Sequence, residues 1–338
     1  MFIDIPKLFD KNFVTGYLLP AILFSLLTGW LVQMAYNFQL IDFQLNWVQQ
    51  NGRSVMVAKI PNVDEATYIL GVVILVCLTL SILLLSLNRI LTRLLEGYLA
   101  PVKWLRFIEI RNYRLMNQEF GKISDAYLDE TLKEALSDET GKKYMEAVLK
   151  RTHRFPDSEN LVLATSFGNT LRAAEVYPRV VYGVDIIPIW PRMLEVMSEK
   201  YLGFLDSAKA SVDFAVNSFF LLWVFLVEII VFFQTSPNQA DLWANYWLFV
   251  PVTLVLIVGA YFLAVSSALE WGNLIRAASD LFINDLIAKV GYEVPETNGE
   301  RKDLLTSLSR SFMYEEPFPA RAVKKKIATK SEKKNAKS

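Results

Sequence analysis

The chain has 338 residues, 53% of them hydrophobic and 13% aromatic, and its 35 basic and 35 acidic side chains cancel to a net charge of zero. A single cysteine, Cys77, excludes an intrachain disulfide, and a single histidine, His153, leaves no histidine–cysteine set for zinc. The apolar residues are gathered into four long runs rather than spread through a soluble core, and this sets the class before any motif is considered.

The first run, Val14 to Tyr36, follows a segment (1–13) that carries Lys7 and Lys11. About 20 helical residues cross the roughly 30 Å hydrocarbon core of a bilayer, so this run is predicted to be the first spanning helix. It is longer than a signal-peptide core, contains Pro20 and Trp30 and ends without a small-x-small pattern, so it reads as a retained span rather than a cleaved leader. In the loop over 37–67, Phe43, Leu45 and Trp47, then Val55, Val57 and Ile60, flank Asn51-Gly52. That dipeptide suits the positive dihedrals of a tight turn and predicts a short extracytoplasmic β-hairpin.

The second span is read over 68–87, and Ile90, Leu91, Leu94, Leu95 and Tyr98 extend its helical spacing until Pro101. The segment 88–213 reads as a mainly helical domain, with helices at 102–120, 124–136 and 139–152. Ser124 and Asp138 are its candidate caps, and Gly121 and Gly141 its breaks or kinks. The stretch 160–189, interrupted by Pro178, Gly183 and Pro188, reads as its least regular part. Pro191 is expected to open a helix that runs through Met197, Tyr201 and Leu205 into the third span, 214–233. A short external loop, 234–243, leads to the fourth span, 244–269. An apolar stripe of Leu274, Ile275, Ala278, Leu281, Phe282 and Leu286 carries that helix onward. Residues 270–320 are expected to form C-terminal helices, and 321–338 a basic disordered tail. The predicted fold class is an all-α membrane protein with four transmembrane helices and a helical cytoplasmic domain inserted between helices 2 and 3.

Lys and Arg near spans are retained on the cytoplasmic side. Residues 88–213 hold eighteen of them and those after Leu269 thirteen, whereas 37–67 hold only Arg53 and Lys59 and 234–243 none. Both termini and the inserted domain are therefore expected in the cytoplasm. Ala260, Ala264 and Ala268, and Ser25 and Gly29, place small residues four apart, a spacing that lets helices approach closely and suits a homo-oligomer. Trp30, Trp243, Tyr246 and Trp247 fit an external aromatic belt. Glu228 is the only acid within the four runs, about 7 Å from the external end, where it either snorkels or bonds a neighbouring helix, or handles ions. Asp213 and Asn217 read as interfacial residues.

One pattern occurs twice: Phe167-Gly168-Asn169-Thr170-Leu171-Arg172-Ala173-Ala174-Glu175 and Trp271-Gly272-Asn273-Leu274-Ile275-Arg276-Ala277-Ala278-Ser279. The first block continues into Tyr177-Pro178, Tyr182-Gly183-x-Asp185 and Trp190-Pro191-Arg192. Together they resemble a motif set of uncharacterised bacterial multi-spanning membrane proteins, with Gly272 to Leu281 as a second block. The expected location is a bacterial inner (plasma) membrane, and the resemblance implies no particular activity. It marks these segments as the centre of the cytoplasmic domain.

Within that centre, Arg172, Glu175, Arg179, Asp185 and Arg192 lie among Tyr177, Tyr182 and Trp190. Guanidinium groups and aromatic faces can grip a planar anion, and the same residues can form a structural salt-bridge network. The sequence holds no phosphate loop, dinucleotide fingerprint or nucleophile elbow, and it implies neither cofactor nor metal. From Arg321 onward, eight Lys and Arg face one Glu, and Lys324, Lys325 and Lys326 are placed to meet anionic inner-leaflet lipid. This tail lacks the folded reader and interleaved aromatics of a nucleic-acid binder. The expected function is a non-enzymatic sensor or effector, in which the cytoplasmic domain binds an anionic ligand or protein partner and moves an oligomeric, channel-like bundle in signalling. The alternatives are a scaffold that anchors a partner complex and a membrane-bound enzyme.

Overall fold

The computed structural model describes residues 10–36, 44–50, 53–59, 63–132 and 137–319. The expected turn at Asn51-Gly52 and the basic tail with Lys324, Lys325 and Lys326 lie outside the described residues. Helix α1 (Lys11–Tyr36) contains a π-helical turn over Val14–Leu18. Strands β1 (Gln44–Gln50) and β2 (Arg53–Lys59) pair antiparallel, with Trp47 opposite Met56 and Val48 opposite Val55. The remaining helices are α2 (Val63–Glu96), α3 (Arg106–Leu132), α4 (Asp138–Arg154), α5 (Ser166–Tyr182), α6 (Ile186–Leu194), α7 (Glu199–Thr235), α8 (Gln239–Tyr246), α9 (Phe249–Val290) and α10 (Asn298–Tyr314). Four of them, α1, α2, α7 and α9, are long and apolar enough to cross a membrane.

The chain divides into two compact units, 1–92 with 210–264 and 93–209 with 265–338, and α2, α7 and α9 each pass from one to the other as unbroken helix. In the first unit, Leu31 and Ala35 of α1 pack on Phe225, Ile229 and Phe233 of α7, while Phe13, Tyr17 and Ala21 meet Leu84 and Leu221. Ala260 and Ala264 are buried, whereas nothing described stands within 4 Å of a Cβ built at Gly29.

In the second unit, Val184, Ile186, Ile189 and Met193 form the core with Ile275, Ile283, Leu286 and Ile287 of α9 and Leu305 of α10. The sequence expectation is corrected at three places here. Helix α3 runs through Gly121 and Ser124 without a break, because an interior Gly costs only about 1 kcal/mol against the packing of a long helix. That packing includes Tyr127 stacked on Tyr144 of α4 at 4.2 Å and Tyr113 edge-on to Phe155 at 5.6 Å. Ser137, one residue before the expected Asp138, caps α4 by accepting from the Thr140 amide at 3.1 Å. The stretch expected to be irregular contains α5 and α6, with Pro178 and Pro191 inside them, and α6 stops at Leu194 instead of running into α7.

Candidate functional site

The site in the second unit begins at the end of α2. Gly97, at φ +86°, takes a left-handed conformation open to glycine, and the Tyr98 amide then donates back to the Arg93 carbonyl at 3.2 Å. The freed carbonyl of Leu95 accepts the Thr165 hydroxyl at 2.6 Å, while the same hydroxyl oxygen caps α5 by accepting from the Gly168 amide at 3.0 Å. Gly168 rests directly on the Glu96 carbonyl, where any Cβ would overlap it. Asn169, fully buried, locks this entry: its Oδ1 accepts the Leu163 amide at 2.6 Å, and its Nδ2 donates to Glu109 at 3.0 Å and to the Leu163 carbonyl at 3.2 Å.

This arrangement holds the Glu96 carboxyl in a group of charges formed with Arg93, Arg172, Glu175 and Lys209. Glu96 lies nine residues beyond Leu87, outside the apolar run. Burial, then the neighbouring Glu175 carboxylate, push it up to about 7, against the pull of Arg93, Lys209 and Arg172. Arg172 donates to Glu175 across one helical turn at 2.9 Å, and Tyr98, raised by burial, completes the cluster.

The eight residues singled out from sequence do not form one pocket. Arg172 and Glu175 belong to the cluster just described. Tyr177 and Tyr182 both donate to one oxygen of Asp280, at 2.9 and 2.7 Å. Burial and then this bond push Tyr177 up to about 12, and Tyr182 rises for the same reasons. Arg179 stands 3.9 Å from Asp185 and 4.0 Å from Asp157. Trp190 packs against the core, and Arg192 donates to the Pro188 carbonyl at 2.7 Å and lies 4.1 Å above the Phe312 ring. Most of these charges are answered within the fold. Glu96, Arg93, Tyr98, Lys209 and Asp280 were missed in the sequence, although Asp280 lies in the second block of the repeated pattern and Glu96 on the foreseen extension of the second span.

The first unit has its own polar group, formed around Asp213 and Asn217. Both are buried: Asp213 accepts from the Tyr17 hydroxyl at 2.9 Å and from Asn88 Nδ2 at 3.1 Å, and Asn217 Nδ2 donates to the Gly16 carbonyl at 2.8 Å. Glu228 accepts the Thr28 hydroxyl at 2.7 Å, a bond between α7 and α1. Among the described residues, no group of three or more His, Cys, Asp or Glu side chains converges as a metal site. No family model, no curated protein and no solved structure matches this chain.

Proposed function

We propose that the protein is a non-enzymatic sensor and effector of the bacterial inner membrane, with both termini cytoplasmic, in which a small anion bound in the second unit is signalled along α2, α7 and α9 to an oligomeric bundle that acts as a gated pore. The observation that carries this reading is that Arg93 and Glu96, at the end of the candidate span Thr67–Glu96, share a mixed-charge cluster with Arg172, Glu175 and Lys209. Arg93, Arg172 and Lys209 outnumber Glu96 and Glu175 by one charge, and by two once Glu96 is protonated. Guanidinium groups suit bidentate oxyanion binding, and the added proton strengthens the attraction. Anion binding is then linked to proton uptake and weakens as pH rises through about 7.

Sulfate is the proper probe, since its charge is constant over this range. Detergent-purified protein is expected to gain thermal stability with sulfate at pH 6, to gain less at pH 8, and to lose the response in Arg172→Ala. The absence of any sulfate effect beyond that of chloride at equal ionic strength would remove the anion site. Sulfate-dependent ion flux in liposomes tests the pore. A stable co-purifying partner with no flux would favour the scaffold instead.

A further inference from the structure

The first half of α3 has two apolar faces, and only one is used inside the fold. Tyr113 and Met116 pack inward on Phe155 and Val162, and Glu109, also inward, binds Asn169. On the opposite side, Trp104 is 76% exposed and Phe107 70%, with Ile108 and Leu115 about half exposed. Trp104 sits in the short 3-10 turn, Val102–Leu105, that leads into α3. At helical spacing, positions 104, 107, 108, 111 and 115 fall within a sector of about 100°, so these apolar side chains form one stripe. Lys103 and Arg114 flank the stripe and Arg111 lies within it. Between Val102 and Gln118 there are four cations, and the one acid, Glu109, points into the fold.

We infer that this stripe is a lipid-docking surface, with Trp104, Phe107, Ile108 and Leu115 seated in the headgroup layer of an anionic leaflet and Lys103 and Arg111 meeting its phosphates. An amphipathic segment with bulky apolar residues on one side and basic residues beside them is the pattern that binds such a surface. Tryptophan prefers that layer because its ring is apolar and its N–H is wet. Charge decides the occupant. Arg106 and Arg114 are engaged with the Val162 and Asn160 carbonyls and with Glu159, whereas Lys103 and Arg111 have no acidic partner among the described residues. An apolar protein groove gives no account of those two cations, but lipid phosphate does. Trp104 follows the last residue of the second apolar run by seventeen positions, so lipid is within reach of the chain. This inference is independent of the anion cluster and survives its failure.

The test uses the full chain in vesicles of mixed anionic and zwitterionic phospholipid. With Cys77→Ser as background, a nitroxide is attached at Phe107→Cys and, in a second sample, at Asn112→Cys, an exposed position off the stripe. Relaxation by molecular oxygen should dominate at 107 and relaxation by a water-soluble nickel complex at 112, reversing the order of the two reagents. The combined Lys103→Gln and Arg111→Gln variant should lose part of the oxygen preference at 107 when the anionic lipid is present. Three results would overturn the proposal: nickel access at 107 equal to that at 112, protection of 107 from both reagents, and dipolar broadening between labels. The last two would mean that a protein partner or a second copy of the chain covers the stripe.

Discussion

The two blocks that share aromatic-Gly-Asn-x-aliphatic-Arg-Ala-Ala are put to different uses, and the difference lies in what each small or polar residue meets. In the first block, Gly168 faces a backbone carbonyl, that of Glu96, whereas in the second, Gly272 faces the methyl of Ala174, 2.9 Å from where its own Cβ would stand. Asn169 is fully buried with three bonds, while Asn273 accepts one long bond, 3.4 Å, from Arg276. Arg172 has Glu175 one turn later, but the equivalent residue after Arg276 is Ser279, and Arg276 donates instead to the Thr152 carbonyl at 2.7 Å. One pattern therefore yields a charged cluster in α5 and a neutral helix contact in α9. The shared letters record a common need for close helix approach, and the residue at the ninth position separates the chemistry.

Two pairs of substitutions would break this comparison at its strongest points. Gly168→Ala forces a methyl deep into a backbone carbonyl, and should cost about 3 kcal/mol or more, against about 1–2 kcal/mol for Gly272→Ala, where the 2.9 Å contact with the Cβ of Ala174 asks for a smaller displacement of the helices. Thermal unfolding of the purified variants reads the gap directly, and equal losses would mean that the two glycines are equivalent. Asn169→Ala strands the Leu163 amide and removes a donor from buried Glu109, at about 2–3 kcal/mol, while Asn273→Ala should stay within about 0.5 kcal/mol of the parent.

Local periodicity was enough to read the apolar helices, and the continuation of Ile90, Leu94 and Tyr98 foretold that α2 would run past Leu87, as it does to Glu96. It failed where tertiary contacts decide. Gly121 and Pro178 look like breaks in a one-dimensional reading, yet long helices run through both. The side chains of the segment 164–192 divide among separate partnerships because α3, α9 and α10 supply Glu109, Asp280 and Phe312 from far along the chain. The partners of Asp213 are hidden from a one-dimensional reading for a related reason, since only the fold brings Tyr17 and Asn88 to it.

The charge cluster sharpens the comparison through pH, because α9 has no counterpart to Glu96. A carboxyl whose ordinary value of 4.5 is raised to about 7 in the fold binds its proton more tightly folded than unfolded. Its stabilising contribution is complete below 4.5 and is lost as pH rises through about 7, a total on the order of 3 kcal/mol. Glu96→Gln should flatten the fall in unfolding midpoint between pH 5 and about 8. It should also make sulfate stabilisation nearly independent of pH, whereas an unchanged slope would place the titrating group elsewhere.

The smallest effect tests whether the second block is tied to the first by Asp280. Tyr177→Phe removes one of the two hydroxyls on that carboxylate but keeps the ring, whose centroid lies 5.9 Å from the Arg276 guanidinium carbon. Tyr182 still donates at 2.7 Å, so the loss should be about 0.5–1 kcal/mol, and Tyr182→Phe should behave alike. The double variant leaves Asp280 without either phenol and should cost more than the two single changes together, since each hydroxyl partly covers for the other. Simple additivity would mean that Asp280 is solvated well enough to need neither, and that the link between α5 and α9 rests on the contact of Gly272 with Ala174 rather than on this shared acceptor.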